Sequence, residues 1–220
     1  SHLLNIFAFS FILSTLICFT HLEVNARPVS YPGGWTIIQM NDMHSNSVNV
    51  HYSSTARSSI GYRAEYWREE EWQFHGLQYN YLMHRINNRN SQANFYFKTG
   101  AGLAYSDYEE LDSQAEAAGF AGISFDFEDR RYFVSYENRG YYAGDIDEFF
   151  MQKARIGITP YIGDYSDLHS WLMLEIGHNT NSDDDDVTIT PLIRFFKGKF
   201  LAEAGVSDDG DVMFNWIVRF

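Results

Sequence analysis

From Trp35 onward the chain repeats one pattern. Large apolar residues occupy every second position, polar or small residues fill the positions between, and turn residues interrupt the alternation. A period of two marks strands with one greasy and one polar face. The alternation predicts strands near 34–41, 46–53, 57–68, 71–85, 91–105, 117–128, 130–143, 147–162, 167–178, 186–196, 199–206 and 211–220. Their lengths suit tilted strands that cross a bilayer. Ten strands are the alternative count, because the first two segments are short and weakly patterned.

The faces can be read strand by strand. Ile60, Tyr62, Ala64 and Tyr66 oppose Gly61, Arg63 and Glu65. Phe95, Phe97, Ala101 and Leu103 oppose Asn94, Lys98, Gly100 and Gly102. Ala121, Ile123, Phe125 and Phe127 oppose Gly122, Ser124 and Asp126. Tyr132, Val134 and Tyr136 oppose Ser135, Glu137 and Arg139, and Ala154, Ile156 and Ile158 oppose Lys153, Arg155 and Gly157. Leu172, Leu174 and Ile176 oppose Glu175, while Val187, Ile189, Ile193 and Phe195 oppose Thr188, Thr190 and Arg194. Charges fall on one face throughout. A basic residue facing lipid at mid-membrane costs about 2–4 kcal/mol, so the charged face is the expected lumen. The expected lumen charges are Arg63, Glu65, Lys98, Asp126, Glu137, Arg139, Lys153, Arg155, Glu175, Arg194, Glu203 and Arg219. Two readings stay open: ion pairs that fill a narrow barrel, or a water-filled passage with mild anion preference.

An even strand count puts two sets of connections at opposite ends. One set is long and acidic, including Ser106 to Asp112, Gly144 to Glu148, Asn179 to Asp186, and Ser207 to Gly210. The other is short: Ser54 to Ala56, Asn87 to Asn90, Asp129 and Arg130, Gly163 to Ser166, and Lys197 to Lys199. Long loops outside and short turns inside are the usual asymmetry of outer-membrane barrels.

Residues 3 to 20 form an apolar run, followed by Val24, Asn25 and Ala26. This predicts a signal peptide over 1–26, cleaved after Ala26, and one barrel domain over 27–220; a membrane anchor of about 18 residues is the alternative. The chain starts at Ser1 without Met or a basic leader region, so an earlier start is expected. The single cysteine, Cys18, lies in the leader, which leaves the barrel without thiol chemistry. Net charge is −13, a poor surface for nucleic acid. Aromatics reach 17%, which suggests interfacial girdles. The expected belt residues are Tyr62, Tyr66, Trp67, Trp72, Tyr79, Tyr81, Tyr132, Tyr136, Tyr141, Tyr142, Trp171 and Trp216.

Little in the sequence points to catalysis. The histidines His44, His51, His75, His84, His169 and His178 have no paired-ligand spacing, and no metal or cofactor is expected. Asp183 to Asp186 reads as a solvated charge run. His51-Tyr52-Ser53 resembles, at two residues only, the His-x-Ser pair of outer-membrane phospholipases and lipid A deacylases. His178-Asn179-Thr180 departs from it at the nucleophile and is expected in a loop.

The strand Phe214 to Phe220 resembles the terminal strand of bacterial outer-membrane β-barrels. That resemblance implies an insertion signal formed by Phe214, Trp216, Val218 and Phe220. Gly61-Tyr62-Arg63-Ala64-Glu65-Tyr66-Trp67-Arg68, Tyr161-Ile162-Gly163-Asp164-Tyr165 and Gly210-Asp211-Val212-Met213-Phe214-Asn215-Trp216 are similar to stretches of small uncharacterised proteobacterial outer-membrane proteins. The sequence therefore predicts an all-β, antiparallel, up-and-down transmembrane barrel of twelve strands in the bacterial outer membrane. Its partners would be outer-membrane lipids, the barrel insertion machinery and small polar solutes. The leading expectation is a narrow channel or passive transport component. A structural or interaction barrel with acidic loops is second, and a lipid hydrolase third.

Overall fold

The computed structural model describes residues 29–109, 114–164, 166–180 and 185–220. The leader over 1–26 and part of the acidic run, Asp183 and Asp184, lie outside the described residues.

Among the described residues the alternating segments form β1 (Trp35–Asn41), β2 (Ser45–Tyr52), β3 (Ser58–Trp67), β4 (Trp72–Asn87), β5 (Ser91–Ser106), β6 (Ala115–Asp129), β7 (Tyr132–Tyr142), β8 (Glu148–Ile158), β9 (His169–Thr180), β10 (Asp185–Lys197), β11 (Phe200–Val206) and β12 (Val212–Arg219). Each strand pairs antiparallel with its chain neighbours, and β12 closes on β1. Closure leaves no strand edge, the requirement for a sheet in hydrocarbon. The seam runs from Thr36 opposite Arg219 to Asn41 opposite Phe214. Mutual backbone bonds extend it, Trp35 N–H to Phe220 O at 3.1 Å and Phe220 N–H to Trp35 O at 2.9 Å. No helix of the described residues is long and apolar enough to cross a membrane.

Closed pairing makes the two-residue period strict. The outer wall carries exposed Ile60, Leu77, Phe97, Phe125, Val134, Ile156, Leu172, Ile189, Phe195 and Phe214. The inner face buries Arg63, Glu65, Asn80, Asn94, Arg155, Glu175 and Glu203. That is the reverse of a water-soluble globule, where the large apolar residues face inward. The strand register shifts once in β4, between Leu82 and His84. Beyond that bulge the inward parity changes, so Arg85 turns its guanidinium to Asn94 Oδ1 at 2.7 Å.

Some boundaries differ from expectation. β8 ends at Ile158, so Tyr161 and Ile162 belong to a connection, where the Tyr161 hydroxyl donates to Leu168 O. β9 runs to Thr180, which places His178, Asn179 and Thr180 on a strand rather than in a loop. Asp185 and Asp186 pair with Thr180 and Asn179, and so continue the β10 ladder instead of a free acidic loop. A polar residue at a strand end interrupts apolar alternation without breaking the ladder, because its backbone still pairs.

Gly122 faces inward where β6 crosses β7 closely. A Cβ there would sit 2.0 Å from Asn138 O. Gly122→Val should therefore lower the urea unfolding midpoint of the lipid-reconstituted protein, at an overpacking cost of about 1–3 kcal/mol. Gly140→Ala, whose Cβ would meet the Phe150 ring at 3.9 Å, should leave the midpoint in place.

Candidate functional site: the charged barrel interior

The inward positions of β2 to β7 build one polar network. Arg63 grips Glu65 with two bonds, Nε to Oε2 at 3.0 Å and Nη2 to Oε1 at 2.7 Å. Glu65 Oε2 also lies 3.6 Å from Arg139 Nη1 and accepts from the Tyr141 hydroxyl. Arg139 continues to Glu137 Oε1 at 3.0 Å, and Lys98 Nζ reaches Glu137 Oε2 at 2.5 Å. A neutral chain extends the network: Arg63 and Asn49 both donate to Gln78 Oε1, Gln78 donates to Asn80, and Asn80 donates to Ser59. The Phe120 ring lies between two cations, 5.6 Å from Arg63 and 5.0 Å from Arg139.

A second network spans β8 to β12. Arg155 donates through Nε to Glu175 and through Nη1 to both oxygens of Glu203 at 3.1 Å. Glu203 also accepts from Arg194 Nε at 2.7 Å and Asn215 Nδ2 at 3.0 Å. Such a carboxylate is buried only because several donors replace its water. Asp126 accepts from Asn94 Nδ2 at 2.7 Å. Lys153 stands across the ladder from Glu137, between the two networks, and Arg219 is buried beside the seam.

Of the charges named from the sequence, Arg63, Glu65, Lys98, Glu137 and Arg139 belong to the first network and Arg155, Glu175, Arg194 and Glu203 to the second. They are not uniformly dry. Side-chain exposure is 24% at Glu137 and 12% at Lys98, against 3% at Glu65. Glu137 faces inward, so its uncovered surface borders space inside the barrel.

Three apolar clusters occupy part of the interior. Trp67, Trp72, Phe74, Phe120, Tyr141 and Phe149 pack together inside β3 to β8 at the end that carries the β3–β4 and β7–β8 loops, hereafter the loop end. Met43, Phe133, Trp171, Met173, Leu192 and Met213 line the other half of the interior. At the opposite, turn end, Val29 of the segment before β1 packs on Leu82 and Tyr96. Ser30 anchors that segment through its backbone N–H to Ser53 Oγ at 3.0 Å.

These clusters correct the belt assignment. Trp67, Trp72, Tyr141 and Trp171 are buried inside, not set at the lipid interface. The parity was present in the sequence. Trp67 shares the face of Arg63 and Glu65, and Tyr141 shares that of Glu137 and Arg139. Residue type suggested a belt, whereas alternation placed them inward. Tyr62, Tyr79, Tyr81, Tyr132 and Tyr142 are exposed on the outer wall, with Tyr66, Tyr136 and Trp216 half-buried there. Phe214 and Phe220 are exposed outward, and Val218 is half-buried in the same row.

The His-x-Ser pair also faces inward. His51 and Ser53 are fully buried, and Ser53 Oγ lies 3.0 Å from Ser30 Oγ. A lipid on the outer wall has no route to either side chain. Among the described residues, no three His, Cys, Asp or Glu side chains group to hold a metal ion.

No protein-family model and no curated protein matches the chain. Similar solved structures include KdgM porin in complex with disordered oligogalacturonate, at 8% identity over 85% of this chain and 98% of that one, with a TM-score of 0.51. KdgM porin in a second structure gives 9% identity over 84% and 96% of the two chains, with a TM-score of 0.47. LpxR from Salmonella typhimurium gives 7% identity over 85% and 99%, with a TM-score of 0.46. What the chain shares with the first of these is its fold, the closed antiparallel barrel of a porin.

The loop end carries a pH-sensitive contact. Trp72 Nε1–H donates to Asp147 Oδ2 at 2.9 Å. Burial raises the Asp147 carboxyl above its ordinary range, and burial followed by the nearby Asp147 and Glu69 charges raises Glu70. A carboxyl raised on folding binds protons more tightly in the folded state. Its contribution is fully present below the unfolded value and is lost as pH rises through the folded one. Asp147→Asn should therefore gain stability relative to wild type as pH rises through that window, then level off. Urea unfolding midpoints of the two proteins across the acidic range measure this.

Proposed function

We propose that the protein is an outer-membrane β-barrel that works as a narrow channel for small polar solutes. The reading includes export by the leader over 1–26 and kinship with small proteobacterial outer-membrane proteins. It also presents Phe214, Trp216, Val218 and Phe220 to the barrel insertion machinery. The apolar outer wall supports residence among membrane lipids. One observation carries the channel: Glu137 points into a closed barrel yet leaves about a quarter of its side-chain surface uncovered by protein, which marks open space among the interior charges. Lys98, Arg139 and Lys153 stand around it, so a solute passing here meets fixed charges of both signs. The oligogalacturonate in the KdgM structure is an acidic sugar chain held by a barrel of the same fold, which makes polar saccharides a reasonable first class to test.

Purified protein inserted in a planar bilayer should give discrete conductance steps. Glu137→Gln removes one negative charge beside Lys98 and Arg139, and should shift the reversal potential in a salt gradient toward anion selectivity. A silent bilayer after demonstrated insertion would sink the channel and leave a structural or interaction barrel.

A further inference from the structure

Two sectors of the outer wall break its apolar rule: on β7 to β9, Tyr136, Asn138, Gln152 and His178 bond to one another, and a second polar band lies on β1 to β4. The outward residues that flank the β11–β12 loop are Val206 and Val212, and β10 exposes Val187 and Ile189 on its outward row. The matching positions on β1 to β4 are Asn41, Asn46, Tyr66 and Gln73, which lie side by side in cross-strand register. The next row down holds Gln39, Val48, Ala64 and His75. Asn41 Nδ2 donates to Phe214 O at 2.9 Å and Gln73 Nε2 to Asp107 Oδ2 at 3.4 Å, so these carboxamides are held in place while each keeps capacity for further bonds. Val48 and Ala64 are small, and over them lies a recess of about 150 Å³ lined in part by Gln39, Asn41, Asn46, Gln73 and His75.

The recess is organised by hydrogen bonds. His75 Nε2 lies 2.9 Å from Gln73 Oε1, so Nε2 carries the proton and Nδ1 accepts from the Tyr62 hydroxyl at 2.5 Å. The Tyr62 and Tyr105 rings flank the imidazole at 6.2 and 6.1 Å. Arg68 stands at the loop-side rim and donates to Asn46 Oδ1 at 2.9 Å. Toward mid-membrane the next row turns apolar again, with Ile37, Val50, Tyr62 and Leu77 in register.

We propose that this recess binds the sugar headgroup of a membrane glycolipid. Carboxamides both donate and accept, which suits neighbouring sugar hydroxyls, and phenol rings suit the C–H face of a sugar. A cation at the rim suits a phosphate on the headgroup. The apolar row beneath suits acyl chains, and this selects a lipid over a free saccharide. The assignment rests on the outer-membrane reading above.

The test titrates the full-length barrel in detergent micelles with lipid A, phosphatidylethanolamine or the free glucosamine disaccharide, and reads bound ligand by native mass spectrometry. Lipid A should be retained at about tenfold lower concentration than phosphatidylethanolamine. The double variant Asn46→Leu/Gln73→Leu, which the lipid wall should accept, should abolish that preference, while Val187→Leu should keep it. Equal retention of the two lipids, or a double variant that behaves as wild type, overturns the proposal. Free disaccharide that binds as tightly as lipid A overturns the lipid occupant. Protein that shows no heat-modifiable gel mobility defeats the membrane reading, and this inference falls with it. A folded barrel without lipid preference defeats this inference alone.

Discussion

Everything in this molecule depends on the closure of β12 on β1. An open sheet of this composition would expose an unpaired edge to lipid and leave its backbone groups without partners. Once the seam from Thr36–Arg219 to Asn41–Phe214 is made, each strand has two neighbours and each side chain has one of two destinations. Arg219 shows the consequence. It sits at the seam beside Phe220, yet it is buried in the interior while Phe220 is exposed outside.

The interior then has to solve a problem of its own. Its charges have left bulk water, and a lone buried charge is far costlier than a paired one. The barrel answers with two compact networks around Glu65 and Glu203, and with arginines laid over Phe120 and Phe133. An aromatic cluster takes up space at the loop end, a methionine-rich cluster lines the half that holds β9 to β12, and Val29 takes up space at the turn end. Between these, Glu137, Lys98 and Lys153 mark a polar region that the protein covers less completely. The same packing that stabilises the barrel therefore narrows whatever path runs through it.

The two-residue period made much of this legible in the sequence. It placed the strands within a few residues and separated Arg63, Glu65, Arg155, Glu175 and Glu203 from the exposed apolar face. It fell short where a single local event resets the parity or overrides it. The β4 bulge at Leu82 and His84 turns Arg85 inward, and alternation alone gives no sign of it. The pairing partners within each network, such as Arg155 with both Glu175 and Glu203, depend on strand stagger rather than on any spacing within one strand. Trp67, Trp72, Tyr141 and Trp171 were misplaced because amphipathic rings are common at interfaces, although their own parity pointed inward. Val29 carries no periodic signal, since it packs from outside the strand pattern.

The most direct test of the account is which side of each strand meets water in a membrane. Lys153→Cys and Ala154→Cys, each in a Cys18→Ser background, place one thiol on either side of β8 at adjacent residues. In reconstituted vesicles, the thiol at position 153 should react with a charged, water-soluble maleimide and the thiol at 154 only with a lipid-soluble one. Equal labelling of both by the water-soluble reagent, or the reverse preference, would contradict the account.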